Sequence, residues 1–108
     1  MAIYSGQLRD LVWRKGKIVQ GYDPAKWRKD FAGAWMYYDA FCLNGEYGWE
    51  IEHIRPLSQG GEASISNLMP IHWRNNMVKA NNFPKFKSLI TSDGEHNIER
   101  EQIWVIQQ

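Results

Sequence analysis

Cysteine is almost absent from this chain of 108 residues, and the chain has no long apolar run. The single cysteine, Cys42, excludes an intramolecular disulfide framework and a zinc site built from several cysteines. It is typical of a reducing compartment, so we expect a cytoplasmic protein. No apolar run approaches the ~18 residues of a membrane span. Residues 1–6 lack a basic segment followed by an apolar one, so we expect no signal peptide.

The net charge is also small, at +1, but the charges are unevenly distributed along the chain. Residues 1–35 hold seven basic and three acidic side chains, and residues 64–87 hold four basic and no acidic ones. Residues 36–63 hold one basic and five acidic side chains, and residues 88–108 hold one and four. Basic blocks can neutralise phosphates, and an acidic centre can hold a cation. The alternative is an ordinary scatter of surface charge.

Aromatic side chains, in contrast, are abundant, with six Trp, five Tyr and four Phe. Because each of them buries a large area, they allow a chain of this size to build a core as one domain, residues 1–108. Apolar periodicity and turn residues predict a helix at 7–15, an extended segment at 17–20, helical turns at 25–30, strands at 34–38, 49–54 and 67–71, a helix at 73–79 and a closing hairpin from 86–91 and 103–106. Asn44-Gly45 predicts a hairpin between the strands at 34–38 and 49–54. The polar stretch 95–102 is expected to be a helical turn or loop. We therefore expect an α+β fold.

The most informative segment runs from residue 49 to residue 79. Glu52-His53 ends a predicted strand, a Gly-Gly turn follows, and Asn67 opens the next strand. Asn76 and Lys79 lie three residues apart, on one side of the predicted helix. An imidazole can take a proton from water near neutral pH, and oxygen-bearing side chains suit a hard cation. This order of residue types is what a phosphodiesterase with one metal ion requires.

The same order resembles the HNH nucleases, the ββα-metal endonuclease family. The segments that fit the family motif are Glu52-His53-Ile54-Arg55-Pro56, Gly60-Gly61, Asn67-Leu68 and Asn76-Met77-Val78-Lys79. Upstream, Trp13-Arg14-Lys15-Gly16, Gly21-Tyr22-Asp23-Pro24, Trp27-Arg28-Lys29-Asp30 and Tyr47-Gly48-Trp49-Glu50 resemble the lead-in of small bacterial and phage HNH proteins. The resemblance implies a ββα-metal motif at about 47–82, with flanking short helices and a hairpin.

The resemblance also implies a role for each matching residue. His53 would be the general base, and Asn67 would orient it through its side chain or its backbone. Glu52 and Asn76 would bind one Mg²⁺ or Mn²⁺ ion. The phosphate contacts would be Arg55, Arg74 and Lys79. The family more often has Asp than Glu at position 52, and His72 is a less favoured alternative to Asn76 as a ligand.

The activity implied is metal-dependent endonucleolytic hydrolysis of DNA, with one strand nicked per site to give 5′-phosphate and 3′-hydroxyl ends. RNA stays open as a substrate, because a metal ion and a base do not read the sugar. We expect a monomer, with a homodimer as the alternative. A second hypothesis is an accessory DNA-binding module of a phage or repair complex that cleaves little on its own. A third hypothesis is a toxin nuclease domain. The starting Met1 and the complete-looking domain are arguments against it.

Overall fold

A computed structural model describes residues 5–107 of the chain; residues 1–4, at the start of the segment without signal-peptide features, and residue 108 lie outside it. Two helices and six strands follow in the order α1 (Gly6–Trp13), β1 (Trp27–Lys29), β2 (Trp35–Tyr37), β3 (Trp49–His53), β4 (Leu68–His72), α2 (Trp73–Lys79), β5 (Lys85–Asp93) and β6 (His96–Val105). The strands pair as three antiparallel two-stranded sheets, β1–β2, β3–β4 and β5–β6. The expected α+β class is therefore confirmed. None of the helices in residues 5–107 is long and apolar enough to cross a membrane.

The core lies against one face of β3. Trp49 and Ile51 alternate inward and are buried, whereas Glu50 and Glu52 on the other face are only partly buried. This alternation follows from the two-residue period of a strand. The buried cluster around this face consists of Val12, Trp13, Met36, Trp49, Ile51 and Leu68. The two faces of β3 thus separate the core from the carboxylates.

The expected hairpin between the strands at 34–38 and 49–54 is wrong, because β2 pairs with β1 and β3 pairs with β4. After β2 the chain enters a 3₁₀ turn at Tyr38–Ala40, and Cys42 follows with a positive φ of 61°. Phe41 then bridges Trp49 in parallel orientation, so the chain does not fold back on itself in a ladder at Asn44-Gly45. A turn signal marks where the chain can reverse but does not select the strand partner.

The expected helical turns at 25–30 are also wrong. The carboxylate of Asp23 accepts a hydrogen bond from Ala25 N at 2.9 Å. The carbonyl of Asp23 accepts hydrogen bonds from Lys26 N and Trp27 N. This single turn leads into β1, because a side-chain acceptor on Asp can close a turn as readily as it caps a helix.

The polar stretch 95–102 forms most of β6 and is neither a helical turn nor a loop. It pairs with β5 in a long hairpin whose register shifts between Ser88 and Ile90. The side chains along β6 are mostly exposed or half-buried. The main-chain ladder therefore defines this strand, and the sequence lacks the apolar alternation that would have predicted it.

Candidate active site

His53 is the last residue of β3, opposite Leu68 of β4. Within residues 5–107 its hydrogen bonds are made by its backbone: the N–H donates to Oε1 of Glu52 at 2.9 Å, and the C=O accepts from Nζ of Lys79 at 3.3 Å. The main chain of His53 is thus held on both sides. Its half-buried imidazole keeps both nitrogens for other partners, as a general base requires.

The end of β3 is fixed by the carboxamide of Asn67. Its Oδ1 accepts from Arg55 N at 2.9 Å, and its Nδ2 donates to the carbonyls of Arg55 and Glu62, each at 2.9 Å. The carbonyl of Asn67 also accepts from Ile54 N at 2.8 Å. Asn67 therefore acts on the main chain directly after His53 and clamps both ends of the loop between β3 and β4.

The loop closes around this clamp because it contains two glycines. A Cβ on Gly61 would lie 1.9 Å from the carbonyl oxygen of Arg55 and 2.9 Å from Nδ2 of Asn67. Gly60 has a φ of +87°, in the left-handed region that favours glycine. The sequence predicted only a turn here, whereas the structure shows that the turn packs directly on the clamp.

Two carboxylates of β3 face α2. Nδ2 of Asn76 donates to Oε1 of Glu50 at 2.9 Å, and Nζ of Lys79 lies 3.6 Å from Oε2 of Glu52. Residues two apart in a strand share one face of the strand, and residues three apart in a helix share one face of the helix. Asn76 therefore contacts Glu50, and Lys79 contacts Glu52. Glu50 was missing from the expected site, although it shares a strand face with Glu52.

Lys79 is fully buried, with an exposed fraction of 0 %. Its ammonium lies between Glu52, the carbonyl of His53 and the ring of Phe86, whose centroid is 5.2 Å away. Burial lowers the pKa of Lys79, and the neighbouring Glu52 raises it. Burial likewise raises the pKa of Glu52, against the opposing effect of Lys79. The structure thus brings Lys79 to the residues of the site and away from the surface.

His72 is buried at the junction of β4 and α2. Its Nδ1 accepts from Arg74 N at 3.1 Å and so caps α2, and its Nε2 donates to the carbonyl of Glu46 at 2.7 Å. Burial lowers the pKa of His72, which favours the neutral ring that this arrangement requires. Both ring nitrogens are engaged, so the geometry offers Asn76 rather than His72 to a metal ion.

The two expected arginine contacts differ in their surroundings. Arg74 places Nη2 2.8 Å from Oε1 of Glu99 on β6. Arg55 is exposed beside the end of β3, with Nε donating to the carbonyl of Gln59 at 2.7 Å and its guanidinium 5.7 Å from the ring centroid of Phe83. Arg55 therefore presents its charge to solvent beside His53, whereas Arg74 already has an acidic partner.

Asn75 anchors α2 to the rest of the fold. Its Oδ1 accepts from Leu89 N and Ile90 N, both at 2.8 Å, and its Nδ2 donates to Oδ2 of Asp30 at 3.0 Å. The same carboxylate of Asp30 accepts from His72 N at 3.0 Å. Burial raises the pKa of Asp30, and these hydrogen bonds oppose the rise. Adjacent helix residues point in different directions, so only one of Asn75 and Asn76 can face β3. This spacing is the signal in the sequence that could have predicted a separate, anchoring role for Asn75.

The β3–α2 interface brings together oxygen atoms of the types that bind hard divalent cations. Within residues 5–107 no three His, Cys, Asp or Glu side chains cluster closely enough to hold a metal ion. The interface does hold the carboxylates of Glu50 and Glu52 and the amide of Asn76. The amide nitrogen of Asn76 donates to Glu50, so its Oδ1 stays available as a ligand. Carboxylate and amide oxygens suit Mg²⁺ or Mn²⁺ rather than structural zinc.

Comparison with known families agrees with this geometry. Residues 41–81 match the family model described as HNH endonuclease. The matched segment contains β3, the Gly60-Gly61 loop, β4 and α2, and with them every expected site residue. No curated protein and no solved structure matches the chain. The resemblance of residues 41–81 to the HNH endonuclease family is therefore confirmed.

Proposed function

We propose that this protein is a divalent-metal-dependent DNA endonuclease that nicks one strand per site and leaves 5′-phosphate and 3′-hydroxyl ends. The observation that supports it is that Glu52 and Asn76 lie at the β3–α2 interface and that the main-chain N–H of His53, at the end of β3, donates to the carboxylate of Glu52. All three lie inside the segment that matches the HNH family. Two of the five acidic side chains in residues 36–63, Glu50 and Glu52, lie at this interface.

In the proposed reaction the imidazole of His53 accepts the proton of the water that attacks phosphorus. Asn67 holds the main chain of Arg55 and so would limit movement of the strand end that carries His53. Glu52 and Asn76 would hold Mg²⁺ or Mn²⁺, which stabilises charge on the phosphate and on the leaving 3′ oxygen. Arg55 is the exposed cation next to the loop and is assigned to a substrate phosphate.

The test is nicking of supercoiled plasmid with Mg²⁺, Mn²⁺ or EDTA, using the native protein and His53→Ala. His96→Ala is the matched control, because the His96 side chain is 78 % exposed and begins β6, outside the segment 41–81. We expect metal-dependent conversion to open circle, a loss of about 10²–10⁴ in rate for His53→Ala and no loss for His96→Ala. Full activity of His53→Ala would remove the base from the proposal.

The ends of the nick are tested with the same product. DNA ligase seals a nick only between a 3′-hydroxyl and a 5′-phosphate, so we expect ligase alone to restore closed circles. Failure to seal would contradict the proposed polarity of cleavage. Plasmid binding without cleavage in any divalent metal would instead favour the second hypothesis, an accessory DNA-binding module.

A further inference from the structure

A cavity lies away from the β3–α2 interface. It encloses about 270 Å³ between the β1–β2 sheet, the loop before β3 and the β5–β6 turn. Its lining consists of Tyr22, Trp27, Trp35, Tyr47, Glu95 and His96. Tyr47 precedes Trp49 at the start of β3, whereas His53 ends the strand roughly 13 Å further along, at about 3.3 Å per residue. The cavity is therefore separate from the candidate active site.

The aromatic rings of this cavity stand at steep angles to one another. Trp27 meets Trp35 at 87° and Tyr47 at 89°, and Tyr22 meets Trp35 at 56°. A flat nucleobase stacks on a ring face and is best held between parallel rings. None of these three contacts is parallel, so the four lining rings, which form an aromatic box, suit a compact cation better than a flat base.

The charges around the cavity favour the same kind of ligand. Glu95 lines it, and Oε2 of Glu95 accepts from the hydroxyl of Tyr22 at 2.6 Å. The hydroxyl of Tyr47 donates to the carbonyl of Glu95 at 3.0 Å, so both tyrosine rings are held by this one residue. Glu46 lies beside it, with Oε2 3.3 Å from Nδ1 of His96. Glu95 is the carboxylate that lines the cavity, and it attracts a cation and repels a phosphate.

One ring of the box already attracts a cation within the protein. Nζ of Lys29, which is not one of the residues that line the cavity, lies 4.7 Å from the ring centroid of Trp35. The ring face of tryptophan is the strongest of the aromatic faces for such a contact. The cavity side of the box offers Trp27, Tyr22 and Tyr47 for a second cation.

We propose that this cavity binds a methylated ammonium group. Its rings would surround the methyl groups, and Glu95 would balance the charge. The group could belong to a choline-like small molecule or to a methylated lysine side chain, since both present the same cation. This binding activity is independent of phosphodiester cleavage and gives the protein a second ligand besides nucleic acid.

The test follows tryptophan emission during titration with choline chloride, at constant ionic strength set with sodium chloride. The matched ligand is 3,3-dimethyl-1-butanol, which has the shape of choline without its charge. We expect a saturable change with choline and binding about tenfold weaker with the alcohol, because the attraction to the rings is electrostatic. An acetylated trimethyllysine amide forms the second arm: tighter binding than choline assigns a protein side chain as the source, and weaker binding assigns a small molecule.

Variants separate the charge from the fold. Glu95→Gln should weaken choline binding several-fold, whereas Glu101→Gln, an exposed acid of β6 outside the cavity lining, should not change it. Tyr47→Leu, which removes one ring, should also weaken binding. Circular dichroism confirms that each variant is folded. Equal binding of the alcohol, preferential binding of thymidine monophosphate, or no change of emission with any of these ligands would overturn the proposal.

Discussion

The ammonium of Lys79 lies 3.6 Å from Oε2 of Glu52 and 3.3 Å from the carbonyl oxygen of His53, so one buried cation contacts both a proposed metal ligand and the proposed base. Lys79 has no exposed side-chain surface, and Glu52 is 20 % exposed. Removing one partner of such a pair leaves the other charge without compensation in a poorly solvated place. Stability and site geometry therefore depend on the same contact.

Lys79→Met should lower the free energy of unfolding by about 2–4 kcal/mol, because it leaves the half-buried carboxylate of Glu52 without its cationic partner. Lys87→Met is the control: it also loses a glutamate partner, Glu101 at 3.3 Å, but both side chains are about 60 % exposed. We expect that loss to stay below about 1 kcal/mol. Urea denaturation measures both.

The double variant Glu52→Gln/Lys79→Met tests the cause of this loss. Without the carboxylate no charge is left unpaired, so the double variant should be more stable than Lys79→Met alone. A double variant less stable than either single variant would show that packing, and not charge, accounts for the effect.

Asn67→Asp should impair the clamp about as much as Asn67→Ala. The carboxylate keeps an acceptor for Arg55 N but has no donor for the carbonyls of Arg55 and Glu62, which it would repel. We expect a loss of about 1–3 kcal/mol and slower plasmid nicking for both variants. Native stability of Asn67→Asp would mean that the donated hydrogen bonds contribute nothing.

Gly61→Ala should be far more damaging than Gly45→Ala. The new methyl at position 61 would lie 1.9 Å from the carbonyl oxygen of Arg55, whereas at position 45 it would meet nothing within 4 Å. Overpacking against backbone costs about 1–3 kcal/mol or more, and here it would displace the segment that follows His53. Melting temperature and nicking rate measured on the two variants check this; equal behaviour would refute the close packing of the loop.

His72→Ala and Asn76→Ala should separate stability from metal binding. Loss of His72 removes the cap of α2 and the bond to Glu46, and a lost cap alone costs about 1 kcal/mol. Asn76→Ala should instead weaken Mn²⁺ binding, measured by titration of the folded protein. If His72→Ala alone abolished metal binding, our choice of ligand would be wrong.

Glu46 should make the free energy of unfolding depend on pH. The N–H of Asn97, 3.0 Å from Oε2, is the main cause that lowers the pKa of Glu46 below its ordinary value of 4.5. A lowered pKa means that the carboxylate stabilises the fold above 4.5 and that this contribution is lost as the pH falls through the lowered value. The difference in stability between the native protein and Glu46→Gln should therefore be constant at neutral pH and vanish in acid. A difference that grows as the pH falls would mean that the pKa of Glu46 is raised in the folded protein, and would contradict this prediction.

The segment from β3 to α2 could be predicted because its signals are local. Alternation gave the two faces of Trp49–His53, Pro56 and the glycines marked the loop, and the helix at 73–79 was expected with the bounds it has. The family match covers the same stretch. Such signals depend on residues that are close in the sequence, so they can be read without knowledge of the fold.

What could not be predicted depends on contacts between distant residues. Nothing near Lys79 in the sequence shows that its ammonium is buried against β3, and a lysine after a helical turn is usually exposed. Strand pairing failed for the same reason: Asn44-Gly45 marks a turn, but the competition between β1 and β3 for β2 is decided by packing. The Glu50–Asn76 contact likewise joins residues that only the fold brings together.

The buried carboxylate of Asp30 shows that the segment that matches the family model is held in place by residues outside that segment. Asp30 lies eleven residues before the first residue of the matched segment 41–81, yet it accepts hydrogen bonds from His72 N and Asn75 inside that segment. The β5 strand that completes the contacts of Asn75 lies beyond the other end of the match. A transplant of residues 41–81 into another scaffold would therefore carry the proposed site residues without Asp30 and β5, which hold α2 in place.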